Sequence, residues 1–164
     1  LSEFAEKGLL CRLSKGIYYK PVMTKFGVLM PNVQELVKAI ARRDNAQVLP
    51  TGETAANLLG LSTQVPMNYV YLTSGSARKI MVGKKTVSFK RCVPKNFACQ
   101  SEFLAVLIQA MKAIGQDRLA DEHCVVIKGL LMKHLPIESL DADMKNAPLW
   151  VRRFVYNIIK EIGV

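Results

Sequence analysis

The chain has 164 residues, half of them hydrophobic, with 23 Lys+Arg against 13 Asp+Glu and a formal net charge of +10. This apolar fraction excludes global disorder, the length allows one domain or one domain with a small appendage, and no apolar run reaches the eighteen residues or so of a spanning helix. Residues 1–100 hold 15 basic and 5 acidic side chains, whereas residues 101–164 hold 8 of each, so the whole excess sits in the first part. No acid lies between Glu6 and Glu35, or between Glu53 and Glu102. A polyanion is the first partner to consider.

Leu1, Phe4 and Ala5 read as the last turn of an amphipathic helix closed by Gly8. A chain that opens on such a turn is expected to be part of something longer. Leu9 to Tyr19 reads as a hairpin: a Leu-Leu-Cys-Arg-Leu strand, a Ser14-Lys15-Gly16 turn, then Ile17-Tyr18-Tyr19. Lys20-Pro21 ends it, and residues 26–31 read as a connector. Asn32, with Glu35 three residues on, marks a helix start, with Val33, Leu36, Val37, Ile40 and Ala41 as its apolar face. Arg42-Arg43-Asp44-Asn45 closes it.

Thr51 is expected to cap a short helix stopped by Gly60. Asn68–Thr73, Arg78–Val82 and Thr86–Cys92 read as strands of a small antiparallel meander, with Gly83-Lys84-Lys85 as its last turn. The remainder reads as helical. Ser101 caps a first helix closed by Gly115, a second runs from about Asp121 to Leu135, and a third starts at Pro148 as its first residue. Its expected buried stripe is Val151, Phe154, Val155, Ile158, Ile159 and Ile162. The fold class is therefore α+β, with hairpin and meander first and helices last.

No pattern of residues suggests catalysis. GxSxG and HExxH are absent. Gly83-Lys84-Lys85-Thr86 is similar to the end of a phosphate loop, but Arg78 stands where the first glycine belongs and Lys85 where the magnesium hydroxyl belongs. Glu138, Asp141 and Asp143 form the one tight carboxylate group, read as a solvated connection between helices. His123 and His134 fall on one helix about 16 Å apart, too far to share a metal ion. Cys11, Cys92, Cys99 and Cys124 form no CxxC pair and read as buried thiols of a reducing cytoplasm. Neither a cofactor nor a metal is expected.

The basic residues cluster on the two strand regions. Arg12, Lys15 and Lys20 surround the first turn, beside Tyr18 and Tyr19; Ile17 and Tyr19 are expected to pack that hairpin on the preceding helix. On the meander stand Arg78, Lys79, Lys84, Lys85, Lys90, Arg91 and Lys95, seven cations with no acid. Such surfaces attract phosphates through counterion release, whatever the base sequence. A helix end followed at once by a basic hairpin looks like the back half of a winged helix-turn-helix, with the hairpin as wing.

The segments Leu10–Pro21, Phe26-Gly27-Val28-Leu29, Pro50 through Pro66 (Thr-Gly…Leu-Leu-Gly-Leu-Ser…Pro), Tyr69–Arg78 and Val87–Arg91 together resemble the AbiEi-like antitoxins and transcriptional regulators of bacteria. The resemblance covers about residues 1–96, and residues 97–164 lie outside it. It implies residues 1–24 as the C-terminal part of a winged-helix domain and 25–164 as an antitoxin-like domain, helical from about residue 98. The implied activity is a non-enzymatic, cytoplasmic DNA-binding regulator that represses its own toxin–antitoxin operon. Operator DNA would meet Arg12, Lys15 and Lys20 on the wing and Arg78, Lys79, Lys84, Lys85, Lys90 and Arg91 on the second domain. A nucleotidyltransferase-type toxin encoded nearby is the implied protein partner, and no membrane is involved. The alternative is a protein-interaction module that docks a toxin or subunit through the neutral helical half, where Trp150 and Phe154 lie, with DNA binding incidental.

Overall fold

Glycines with positive φ set the first two reversals of the chain. In the computed structural model, which describes residues 1–163, helix α1 (Ser2–Glu6) ends where the Gly8 N–H donates to Ala5 and the Leu9 N–H to Phe4, both at 3.0 Å. This is the Schellman closure, with Gly8 at φ +71°. Strands β1 (Cys11–Ser14) and β2 (Ile17–Tyr19) pair antiparallel across a turn in which Gly16 takes φ +72°. Both elements lie where the sequence puts them.

The connector does not. Val22–Thr24 and Gly27–Leu29 form a second antiparallel hairpin, β3–β4. Each strand is three residues long and exposed on both faces, so neither carries an alternating pattern. Helix α2 (Val33–Asp44) starts as expected: the Asn32 side chain accepts from the Gln34 N–H at 2.8 Å, and Val33, Leu36, Val37 and Ile40 are buried.

After strand β5 (Val48–Pro50), Thr51 still belongs to the sheet, its N–H donating to the Val70 carbonyl at 3.0 Å. It caps nothing. Gly52 occupies the N-cap of α3 (Glu53–Leu58), while the Thr51 hydroxyl bonds the Gln109 side chain at 3.1 Å. Gly60 does stop the helix, and Asn57 secures the following loop by donating to the Gln64 carbonyl at 3.0 Å.

Strands β6 (Asn68–Thr73), β7 (Arg78–Val82) and β8 (Lys85–Arg91) match their expected positions, but they are not a meander. The sheet order is β5-β6-β8-β7, and β6 pairs with β8 in parallel. Residues 74–77 therefore span about two strand spacings, ~9.5 Å, and leave a slot that β8 fills. Local turn chemistry marks where a chain reverses, not which strand becomes its neighbour.

The sheet separates two cores. On one face Tyr69, Tyr71, Ile80, Val82, Val87 and Phe89 pack with the buried stripe of α2 and with Ile17. The Tyr71 and Phe89 rings stack at 6.0 Å, and burial pushes the Tyr71 hydroxyl up to about 12. Ile17 thus packs the first hairpin on α2 and the sheet rather than on α1, which buries no residue. On the other face Leu49 and Leu72 join Ala55 and Ala56 of α3 and the helices α4 (Glu102–Ile114), α5 (Asp121–His134), α6 (Leu140–Met144) and α7 (Leu149–Ile162). Ser101 caps α4, accepting from the Leu104 N–H, as expected. Pro148 is the N-cap of α7 rather than its first residue, and Phe154 and Ile162 are half-buried at the core's edge. Among the described residues no helix is long and apolar enough to cross a membrane.

The acidic connection is where the structure departs furthest from the sequence reading. It contains α6, and Asp143 is wholly buried rather than solvated. Its two carboxylate oxygens accept from the Gln100 N–H at 2.7 Å and the Ser101 N–H at 2.9 Å, tying α6 to the entry of α4. Replacing Asp143 by Ala strands both donors, so Asp143→Ala should cost about 2–4 kcal/mol. Urea unfolding checks this as a lower midpoint at unchanged slope.

A second cross-element tie is Asp44, at the end of α2, which accepts from Arg43 at 2.7 Å and from Arg78 on β7 at 2.6 Å. The hydrogen bond from Arg43, with the charges of Arg78 and Arg43, holds the Asp44 carboxyl below its usual 3.8. Because the folded value is depressed, its stabilisation is present above the unfolded value and lost as pH falls through the folded one. Asp44→Asn should therefore cost under about 1 kcal/mol at pH 7 and nothing below the folded value. Parallel denaturation curves of the two proteins at neutral and strongly acidic pH measure that convergence.

Candidate nucleic-acid interface

The first hairpin presents its cations on a fixed turn. Arg12 and Lys15 are exposed on either side of Ser14, and the Arg12 Nε donates to the Ser14 carbonyl at 3.3 Å. Arg43 reaches across from α2 and donates to the Gly16 carbonyl at 2.9 Å. Its pairing with Asp44 raises the guanidinium's pKa further, so this tether keeps its charge at any ordinary pH. In the sequence Arg43 reads only as a cation at a helix end; its partner lies 27 residues away.

Lys20 stands apart from Arg12 and Lys15. It lines a cleft of about 960 Å³ between the β3–β4 hairpin, the start of α2 and the β7–β8 turn. Lys84 and Lys85 line the same cleft, so the fold brings together one cation of the first group and two of the second. Gly83 and Lys84 make the turn, with Gly83 at φ +61°, and Thr86 is buried with its hydroxyl against the Met81 sulfur at 3.3 Å. Lys85 lies over the Tyr69 ring, 5.8 Å from its centroid, and is half-buried. Glu35 is the acid on the cleft wall.

The remaining cations are sorted by strand alternation. Lys79 pairs with Ser88 across β7–β8, so Lys79, Met81, Ser88 and Lys90 share one face. Arg78 and Arg91 fall on the other, with Phe89. Arg78 is committed to Asp44. Lys95 is exposed on a 3-10 turn (Pro94–Phe97) beyond the sheet. The basic stretch 78–95 is thus not one patch.

A cation and an aromatic lie at the tip of β3–β4, where no apolar alternation in the sequence marks a hairpin. Phe26 is 91% exposed, and the Lys25 Nζ sits 5.5 Å from its ring centroid. The available signal was Thr24-Lys25-Phe26-Gly27, a two-residue turn between a hydroxyl and a glycine.

The carboxylates of α6 diverge. Asp143 points into the protein, whereas Asp141 accepts from the Tyr156 hydroxyl, a bond that, with some burial, raises the tyrosine's pKa. His123 accepts from the Ala120 N–H at 3.0 Å at the start of α5. The four cysteines are half-buried rather than buried, and burial pushes the Cys99 thiol up. Among the described residues no group of three or more His, Cys, Asp or Glu side chains is arranged to hold a metal ion.

Comparison with known proteins adds one result. No curated protein and no solved structure matches the chain. A family model described as "Family of unknown function (DUF6088)" matches residues 1–140, a span that takes in both hairpins, the sheet, α4, α5 and the entry to α6. By that match over most of its length, the chain belongs to the DUF6088 family.

Proposed function

We propose that the chain is a duplex-DNA-binding, antitoxin-like transcriptional regulator that represses the operon encoding it. The observation that supports this reading is a glycine-closed helix leading straight into a hairpin whose turn presents Arg12 and Lys15 to solvent while Arg43 fixes its backbone. Phosphate contacts set a protein's register on the duplex, and a tethered turn holds such contacts without losing much side-chain and loop freedom on binding. Lys20 and Lys84 on the cleft, and Lys79 and Lys90 on the sheet, offer further exposed charge for counterion release. On this reading the protein works by occupying DNA, without catalysis, cofactor or metal, in the cytoplasm. The resemblance to AbiEi-like regulators supplies the operon context and the nucleotidyltransferase-type toxin as neighbour.

A second reading has its own observation. The helical half is charge-neutral and exposes Val125 and Met132 seven residues apart on α5, apolar side chains that a docked toxin or subunit would cover. Under it, DNA binding is incidental.

Titrating the protein's own promoter duplex over a range of salt concentrations separates the two. Changing Arg12 and Lys15 together to Ala should flatten the log–log salt slope by about 1.8. No preference for that promoter over random duplex at low salt overturns the regulator reading. Co-purification of the neighbouring gene product, undiminished in the double variant, supports the second.

A further inference from the structure

From Val22 to Met30 every residue of the β3–β4 hairpin is exposed. Six of those nine are large and apolar: Val22 at 53%, Met23 at 73%, Phe26 at 91%, Val28 at 46%, Leu29 at 59% and Met30 at 39%. Scattered exposed apolar residues are ordinary, but a contiguous set marks an interaction surface. The register pairs Val22 with Leu29 and Met23 with Val28, so both faces of the hairpin are apolar.

The tip is nevertheless built. Thr24 donates from its hydroxyl to the Gly27 carbonyl at 2.8 Å and accepts from the Phe26 N–H at 3.2 Å. Gly27 supplies φ +114°, which a side chain would resist. Phe26 is therefore held outward by an ordered turn, with the Lys25 ammonium beside it.

Charge identifies the occupant. The segment carrying this arm holds Lys7, Arg12, Lys15, Lys20 and Lys25, without an acid from Lys7 to Gln34. A second copy would bring the same positive surface against it, and like-charge contact opposes that union. A polyanion is attracted instead. Among polyanions, duplex DNA offers an apolar side chain a place to insert, between base pairs opened from the minor groove. Three paired residues per strand reach ~10 Å, beyond the ~7.5 Å depth of that groove.

We propose that the β3–β4 hairpin is a minor-groove arm, with Phe26 inserting between base pairs and kinking the duplex. This rests on the DNA-binding reading above and adds to it a groove, an inserting residue and a bend. Met23 and Val28 lie along the sugar edges of the groove, and Lys25 leaves the Phe26 ring for a flanking phosphate as the ring takes up stacking with a base.

The test uses the whole chain and a duplex of about 25 base pairs carrying donor and acceptor dyes at its ends. Binding should shorten the end-to-end distance, reporting a kink of at least ~20°. Phe26→Ala, at a position too exposed to disturb the fold, should bind about tenfold more weakly and leave the duplex straight, with its salt slope unchanged. Lys25→Ala should keep the bend and flatten the slope by about 0.9. A bend that survives Phe26→Ala, or wild-type binding to a straight duplex, overturns the arm while leaving the DNA reading standing. Absence of any binding to duplex at low salt removes both. Loss in Phe26→Ala of attachment to phosphatidylserine vesicles, or of self-association in sedimentation, without any change in bending, assigns the arm to a membrane or a second copy and overturns the proposal.

Discussion

Strand β8 hydrogen-bonds to β6 in parallel on one side and to β7 antiparallel on the other, so neither of its edges is open to solvent or to another chain. Within it Val87 is wholly buried, and its cross-strand neighbour Ile80 is 1% exposed. A strand so enclosed fixes which face of the sheet every neighbour presents, because side chains alternate with period two. One face is thereby given to α2 and the first hairpin, the other to α3 and α4. Slipping β8 by one residue would send Val87 and Phe89 to the opposite side and dismantle the α2 core. The N-terminal hairpin and the C-terminal helices never need to touch, since each is organised by its own face of a shared sheet.

The same alternation decides what the basic stretch 78–95 can do. Lys79 and Lys90 emerge on one face, Arg78 and Arg91 on the other, and Lys84 and Lys85 at the turn. The Debye length at physiological ionic strength is about 8 Å, so cations facing opposite sides of a sheet act as separate sources. Arg78 is spent on Asp44, and the Lys85 stem covers Tyr69. What unites cations from distant segments is the cleft, where Lys20 meets Lys84 across a gap that no sequence interval encodes.

Elements longer than about five residues, and those with a cap or a glycine stop, were legible: Asn32 and Ser101 cap as their spacing implies, and Gly8, Gly60 and Gly115 close helices. Strands β3, β4 and β5 were not, because three residues cannot display a period of two and, unlike β2, they follow no glycine turn marked by an apolar strand before it. Thr51 misled for a physical reason, since its backbone is still held by the sheet and the positive φ at the next position is available to Gly52 alone. Asp143 is indistinguishable in sequence from Glu138 and Asp141. What separates it is the N-terminus of α4, which lies some forty residues earlier and hangs two amides over it. For the candidate interface, the residue types were legible and their facing was not. Whether a cation such as Arg78 is free or spent depends on a partner such as Asp44, contributed by another element.

The two halves of the chain also handle their charge differently. In the helical half, Lys128 faces Glu161 at 3.4 Å, and the Arg152 guanidinium is absorbed by the carbonyls of Met144 and Lys145 that end α6. In the basic half, the ion pairs among the described residues both converge on Asp44, which already holds two arginines. With 5 acids against 15 cations in residues 1–100, no rearrangement of this half could neutralise its surface. Self-repulsion of that kind works against the compact state. The fold answers it by spacing the cations along its hairpins, α2 and the rim of a cleft, where water screens them. On the proposed reading, neutralisation comes from outside, and a partner that brings a regular array of negative charge would relieve the repulsion most where the cations stand on ordered turns.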